Sequence, residues 1–129
     1  MAHKIKLSID GKEYPLSSCN YGIYRDADHT GKPAGGARAG QLSISRESSE
    51  DSFFYQWSID NAARKNGSIS FSKMNVEDTM KTLDFENAFI ISYAETCGYG
   101  SQMMEEITIS AQKLTISGAT VDNDWPAGT

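Results

Sequence analysis

Between Lys4 and Ile9 the chain alternates strictly, with Ile5, Leu7 and Ile9 on one face and Lys4, Lys6 and Ser8 on the other. That period of two is what a half-buried strand requires. Asp10-Gly11 follows, a strong tight-turn signal because glycine accepts positive φ, so the chain reverses and runs back through Lys12 to Leu16. The period returns at Cys19-Tyr21-Ile23, Leu42-Ile44, Ile69-Phe71, Leu83-Phe85 and Ile107-Ile109-Ala111. Arg46 to Ser49 reads as the polar end of the Leu42 strand. The run from Thr79 to Tyr93 is too long for one ordinary strand; it reads as a strongly bent strand, or two strands bulged near Asn87-Ala88, with Phe89, Ile91 and Tyr93 continuing the odd-numbered face. After Ala111 the apolar positions shift to Leu114 and Ile116, which calls for a bulge or tight turn over Ala111 to Lys113.

One segment changes period. Ser48 or Ser49 can cap a helix, Glu50 and Asp51 favour its positive end, and Phe53, Phe54, Trp57 and Asn61-Ala62 follow at helical spacing to Arg64-Lys65, with Asn66-Gly67 as the terminator. At that spacing the aromatic stripe is core, docked on a sheet, and not a ligand cage. Asn75 to Asp78 reads as a polar turn, and Trp125 as the anchor of a polar tail. These elements predict a mainly β fold: a curled two-sheet β-barrel or sandwich with one packed α-helix, a single domain over residues 1–129.

The segment Arg25 to Gly40 has four glycines, one proline and no large apolar side chain, so it stays outside the core. Loops beyond about 12 residues are usually functional or disordered. A phosphate cradle is excluded, because Gly31-Lys32 is followed by Pro33 instead of Ser or Thr. The reading that fits is a loop that reaches a neighbouring molecule.

Function classes narrow from here. A formal charge of −5, with 12 Lys and Arg dispersed along the chain, argues against nucleic acid. No apolar run approaches the ~20 residues of a membrane-spanning helix, and the amino terminus lacks a secretory h-region. His3 and His29 belong to no catalytic motif, no GxSxG occurs, and Cys19 and Cys97 have no metal-ligand spacing and read as two small buried thiols. The acidic pairs, Glu105-Glu106 among them, read as solvated edges, since neighbours on a strand face opposite ways. Asp122-Asn123-Asp124 lacks the glycine and distal glutamate of a calcium loop. The chain therefore reads as a structural or binding module, with no catalytic residue, metal or cofactor, and self-assembly would protect its many strand edges.

The order and spacing of Leu7-Ser8-Ile9-Asp10-Gly11-Lys12-Glu13-Tyr14, Cys19-x-Tyr21, Asp28-x-x-Gly31-x-Pro33 with Arg38-x-Gly40, and Phe54-x-x-Trp57 are similar to a known family. So are Gly67-Ser68-Ile69-Ser70-Phe71, Lys81-Thr82-Leu83-x-Phe85-Glu86-Asn87-Ala88, Ile109-Ser110-Ala111-Gln112-Lys113 and Asn123-x-Trp125-Pro126. From Leu7 to Pro126 the chain resembles the Hcp-type tube proteins of type VI secretion systems, in their Bacteroidota-type TssD branch. The resemblance implies a homohexameric ring, rings stacked into a hollow tube, and sheath, spike and baseplate proteins as partners. It also implies secreted effectors as cargo, and a subunit that is cytoplasmic before assembly and extracellular afterwards. The ring-stacking role would fall to the long loop, at Arg25, Asp28, Gly31, Lys32, Pro33 and Arg38. The alternatives are a monomeric β-barrel binding module, a tail-tube homologue from a phage-like contractile injection particle, and a small hydrolase.

Overall fold

The computed structural model describes residues 3–34, 38–39, 41–73 and 79–123. The strands are β1 (His3–Ile9), β2 (Lys12–Leu16), β3 (Ser18–Asn20), β4 (Ile23–Tyr24), β5 (Arg38–Ala39) and β6 (Leu42–Glu47). After the helix α1 (Phe53–Ile59) come β7 (Lys65–Lys73), β8 (Thr79–Thr96), β9 (Met104–Ile116) and β10 (Ala119–Asp122). The turn expected at Asp10-Gly11 forms with both residues at positive φ, 50° and 75°, the pair of conformations that matches the twist of a two-residue hairpin.

The expected curled β-barrel with one helix is what forms, and its walls are one hydrogen-bonded sheet. Eight strands share it, in the order β2-β1-β7-β8-β9-β6-β3 with β10 beside β9, and β4 and β5 make a separate two-stranded sheet. β2 and β3 stand at opposite ends of that order, yet only Ser17 separates them in the chain. Ser17 N–H donates to Ser45 O of β6 at 2.8 Å. The chain itself thus draws the two edges together. Inside lie Leu7, Ile9, Leu16, Leu42, Ile44, Ile69, Leu83, Phe85, Ile107 and Ile109, all buried and all placed there by alternation.

The helix is shorter than the sequence predicts. It runs for seven residues from an N-cap at Ser52 to a C-cap at Asp60. Asp51 accepts the Phe53 N–H on Oδ1 (2.8 Å), and Asp60 Oδ1 takes the Ala62 N–H (3.0 Å), an Asx turn that leads the chain out of the helix. Asn61-Ala62 and Asn66-Gly67 therefore lie beyond it, and Gly67 is extended within β7. Its glycine answers a packing demand: a Cβ there would sit 2.5 Å from Cζ of the buried Phe85. Phe54 and Trp57 are buried beneath the helix, each worth about 1.5–3 kcal/mol of apolar burial.

β8 is one 18-residue strand whose inward face changes parity at Asn87, at φ 58°. Leu83 and Phe85 point inward before it and Ala88 after it, so the odd-numbered face is interrupted and Ile91 is exposed; a register shift against β9 after Ile90 then brings Tyr93 back against the core. β9 makes the complementary change at Gln112 without a turn, between buried Ala111 and Leu114. The polar turn over Asn75 to Asp78 and the Trp125 anchor fall outside the described residues.

Candidate assembly surfaces

The loop between β4 and β6 forms an arm with its own hydrogen bonding. At its base Ile23 pairs with Ala39 and Tyr24 with Arg38, a small sheet within the expected loop, and β5 lies against β10 and β9. Further out, Ala27 bridges to Pro33. The tip is built on Asp28. Its Oδ1 accepts the Thr30 hydroxyl (2.6 Å), the Thr30 N–H (2.9 Å) and the Lys32 N–H (3.1 Å), while its backbone exchanges bonds with Lys32 O and the Gly31 N–H. Gly31 supplies the positive φ of 87° that this turn needs. Those bonds, led by the Thr30 hydroxyl, hold the Asp28 carboxyl below the usual Asp range.

Of the residues singled out by sequence, Asp28, Gly31, Lys32 and Pro33 come together at the tip. Arg25 follows β4 and Arg38 lies in β5, both at the base of the arm. Asp28, Gly31, Lys32, Pro33 and Arg25 are all exposed. The arm offers solvent a preformed hairpin, and among the described residues from 25 to 34 none belongs to the barrel's core cluster.

Sequence reasoning missed a buried polar cluster. Arg46 of β6 and Glu105 of β9 are register partners, exposed by only 4% and 2%, so neither is the solvated end it was expected to be. Arg46 donates from Nη1 to Glu105 Oε1 and from Nη2 to Ser49 Oγ (3.0 Å). The Tyr93 hydroxyl donates to Glu105 Oε2. The guanidinium lies over Tyr14 (4.9 Å to the ring centroid) and Phe54 (5.5 Å). Tyr14 in turn donates to Asp51 Oδ2 at 2.7 Å, tying β2 to the start of the helix. Burial, then the neighbouring carboxylates, push both tyrosine hydroxyls above their ordinary pKa, so they stay donors. The missed signal was alternation: Arg46 continues the inward positions Leu42 and Ile44, as Glu105 does Ile107 and Ile109.

This cluster is a brace between β2, β6, β8, β9 and the helix, and it holds no activated nucleophile. Cys19 is half-buried, with its thiol pushed up to about 11 by burial, while Cys97 is exposed, against the expectation of two buried thiols. Among the described residues no three His, Cys, Asp or Glu side chains are placed to hold a metal ion, and no helix is long and apolar enough to cross a membrane.

The family model of hemolysin coregulated protein Hcp (TssD) matches residues 1–126. Among solved structures, Hcp1 from Flavobacterium johnsoniae is 30% identical, with a TM-score of 0.87 over 93% of this chain and 99% of that one. Hcp1 from Salmonella typhimurium has the same fold at 15% identity, with a TM-score of 0.75 over 94% and 92%. A PVC sheath-tube complex, from an extracellular contractile injection system, is similar at 17% identity, with a TM-score of 0.64 over 89% and 88%. No curated protein sequence matches the chain. The family match along nearly the whole length, joined to an Hcp1 structure that superposes over almost all of both chains, places this protein in the Hcp (TssD) family as a tube subunit of type VI secretion.

Proposed function

We propose that the chain acts as one domain over residues 1–129 that assembles into homohexameric rings, and that the rings stack into a hollow tube. The observation that carries this reading is the match to an Hcp1 fold over almost the whole chain, with residues 25–34 of the arm exposed. The subunit's work is geometric and not enzymatic. Its further partners are sheath, spike and baseplate proteins around the tube and effectors inside it. It is cytoplasmic before firing and outside the cell afterwards.

In this reading Arg25, Asp28, Gly31, Lys32, Pro33 and Arg38 form the ring-stacking arm. Deleting Ala27 to Ala37 tests it. Rings that persist but no longer stack are the expected result, and unchanged tubes would show that stacking lies elsewhere. A second reading, a tail-tube component of a phage-like particle, draws on the likeness to the PVC sheath-tube complex. Purifying the chain from its native cells decides between them, since a free extracellular particle would carry it together with its own sheath.

A further inference from the structure

The inward row of β6 runs on past the end of the strand. Leu42, Ile44 and Arg46 are buried in turn, and Ser48 N–H donates to Met103 O at 2.8 Å, one step beyond the point where Glu47 pairs with Met104. Alternation therefore gives Ser48 the next inward position, and its hydroxyl oxygen is buried. Arg46 has five N–H bonds to place. Nη1 serves Glu105 and Nη2 serves Ser49. Held by those bonds and lying over the Tyr14 and Phe54 rings, the guanidinium is not free to turn toward another partner. Among the described residues, Arg46 Nε and Ser48 Oγ are the buried side-chain atoms that have no hydrogen-bond partner. Folded interiors seldom leave such groups unpaired, because each has given up its hydration.

We infer that one buried water molecule binds between Arg46 Nε and Ser48 Oγ, accepting from the Nε–H and donating to the hydroxyl oxygen. Successive inward positions lie about 6.6 Å apart along a strand, and a water making two bonds of about 2.9 Å spans up to about 5.8 Å, so the reach is right. Two polar partners are enough to hold a buried water. A small anion is the other ligand that a guanidinium takes, and Glu105 argues against it. Its carboxylate already balances Arg46, and an anion would bury a second negative charge beside the first. The bound water has a structural consequence, because Ser48 leads into Ser49 and Asp51, whose side chains accept from Arg46 Nη2 and from the Phe53 N–H. It ties the Arg46 brace to the segment that starts the helix, and it needs arginine at this position, since lysine has no Nε–H on the stem.

A crystal structure of the full chain, at a resolution that shows ordered solvent, tests the site directly, with a second crystal soaked in bromide beside it. A single peak within about 2.7–3.2 Å of both Nε and Oγ, with no anomalous signal from bromide, is the expected result. An empty map at that position, a direct bond between Nε and Oγ, or bromide in the site would overturn it. Urea unfolding of Arg46→Lys, Ser48→Ala and the double variant gives a second reading in solution. Each single variant should lower the midpoint, and the double should fall by less than the sum of the two, because either change alone already breaks the shared bridge. Additive losses would mean that the two side chains share no water.

Discussion

Asn87 of β8 stands beside Gln112 of β9, its side-chain amide donating to Gln112 Oε1 at 2.6 Å, at the one point where both strands exchange their inward and outward faces. Asn87 has a φ of 58°, and its N–H donates to Asn66 Oδ1 at 2.8 Å. Because both strands switch together, the register on either side is conserved, with Glu86 opposite Lys113 and Ala88 opposite Ala111.

A β-branched residue cannot hold that backbone without strain. Asn87→Val should cost about 1–3 kcal/mol. Asn87→Gly keeps the positive φ and loses chiefly one amide bond, about 0.5–1.5 kcal/mol. Urea unfolding midpoints compare the two, and equal losses would mean that the left-handed backbone is not what the position demands.

Gly67 and Phe85 test a second close approach. With Phe85 buried and its ring 2.5 Å from where a Cβ would stand, Gly67→Ala should destabilise by about 1–3 kcal/mol. Phe85→Leu in the same background should recover part of the loss. Additive effects in a double-mutant cycle would show that the two positions do not meet.

Removing Arg46 leaves the Glu105 carboxylate buried without its cation. Arg46→Ala should therefore cost about 3–5 kcal/mol, whereas Arg46→Met with Glu105→Leu should lose much less despite removing both charges. Denaturant unfolding of the two variants makes the comparison, and a double variant as unstable as Arg46→Ala would mean that the pair is worth more than the desolvation it entails.

Asp51 gives a pH dependence of definite sign. Its carboxyl is held below the usual range, first by the Tyr14 hydroxyl and then by the Phe53 N–H and Lys12. A depressed folded pKa contributes stability that is fully present above the unfolded value of about 4 and is lost as pH falls through the folded one. Asp51→Asn should thus be less stable than wild type near neutrality, with the gap closing under acid. Thermal unfolding across that range measures it, and a gap that widens on acidification would contradict the assignment.

Alternation made most of the barrel legible, since Leu7, Ile9, Leu42, Ile44, Ile69, Leu83 and Ile107 all face inward as their period requires. Arg46 and Glu105 continue inward rows as well, but their charge argues for solvent, and only the pairing of the two across β6 and β9 reconciles charge with position. The helix end was misread because an Asx turn at Asp60 competes locally with helix, while Gly67 serves the Phe85 ring. The breaks near Asn87-Ala88 and over Ala111 to Lys113 were both legible from the apolar positions, but nothing in either segment alone shows that the two strands break in step. The arm was visible by composition alone, and its internal pairing at Tyr24 and Arg38 was not, because two-residue strands leave no periodic trace.

A chain that is one repeating part of a tube must multiply into a particle of fixed mass. Size-exclusion chromatography with light scattering should give a species six times the 14.1 kDa chain, and electron micrographs of that fraction should show rings with an open centre. A monomer at every concentration, with no rings in the micrographs, would contradict it.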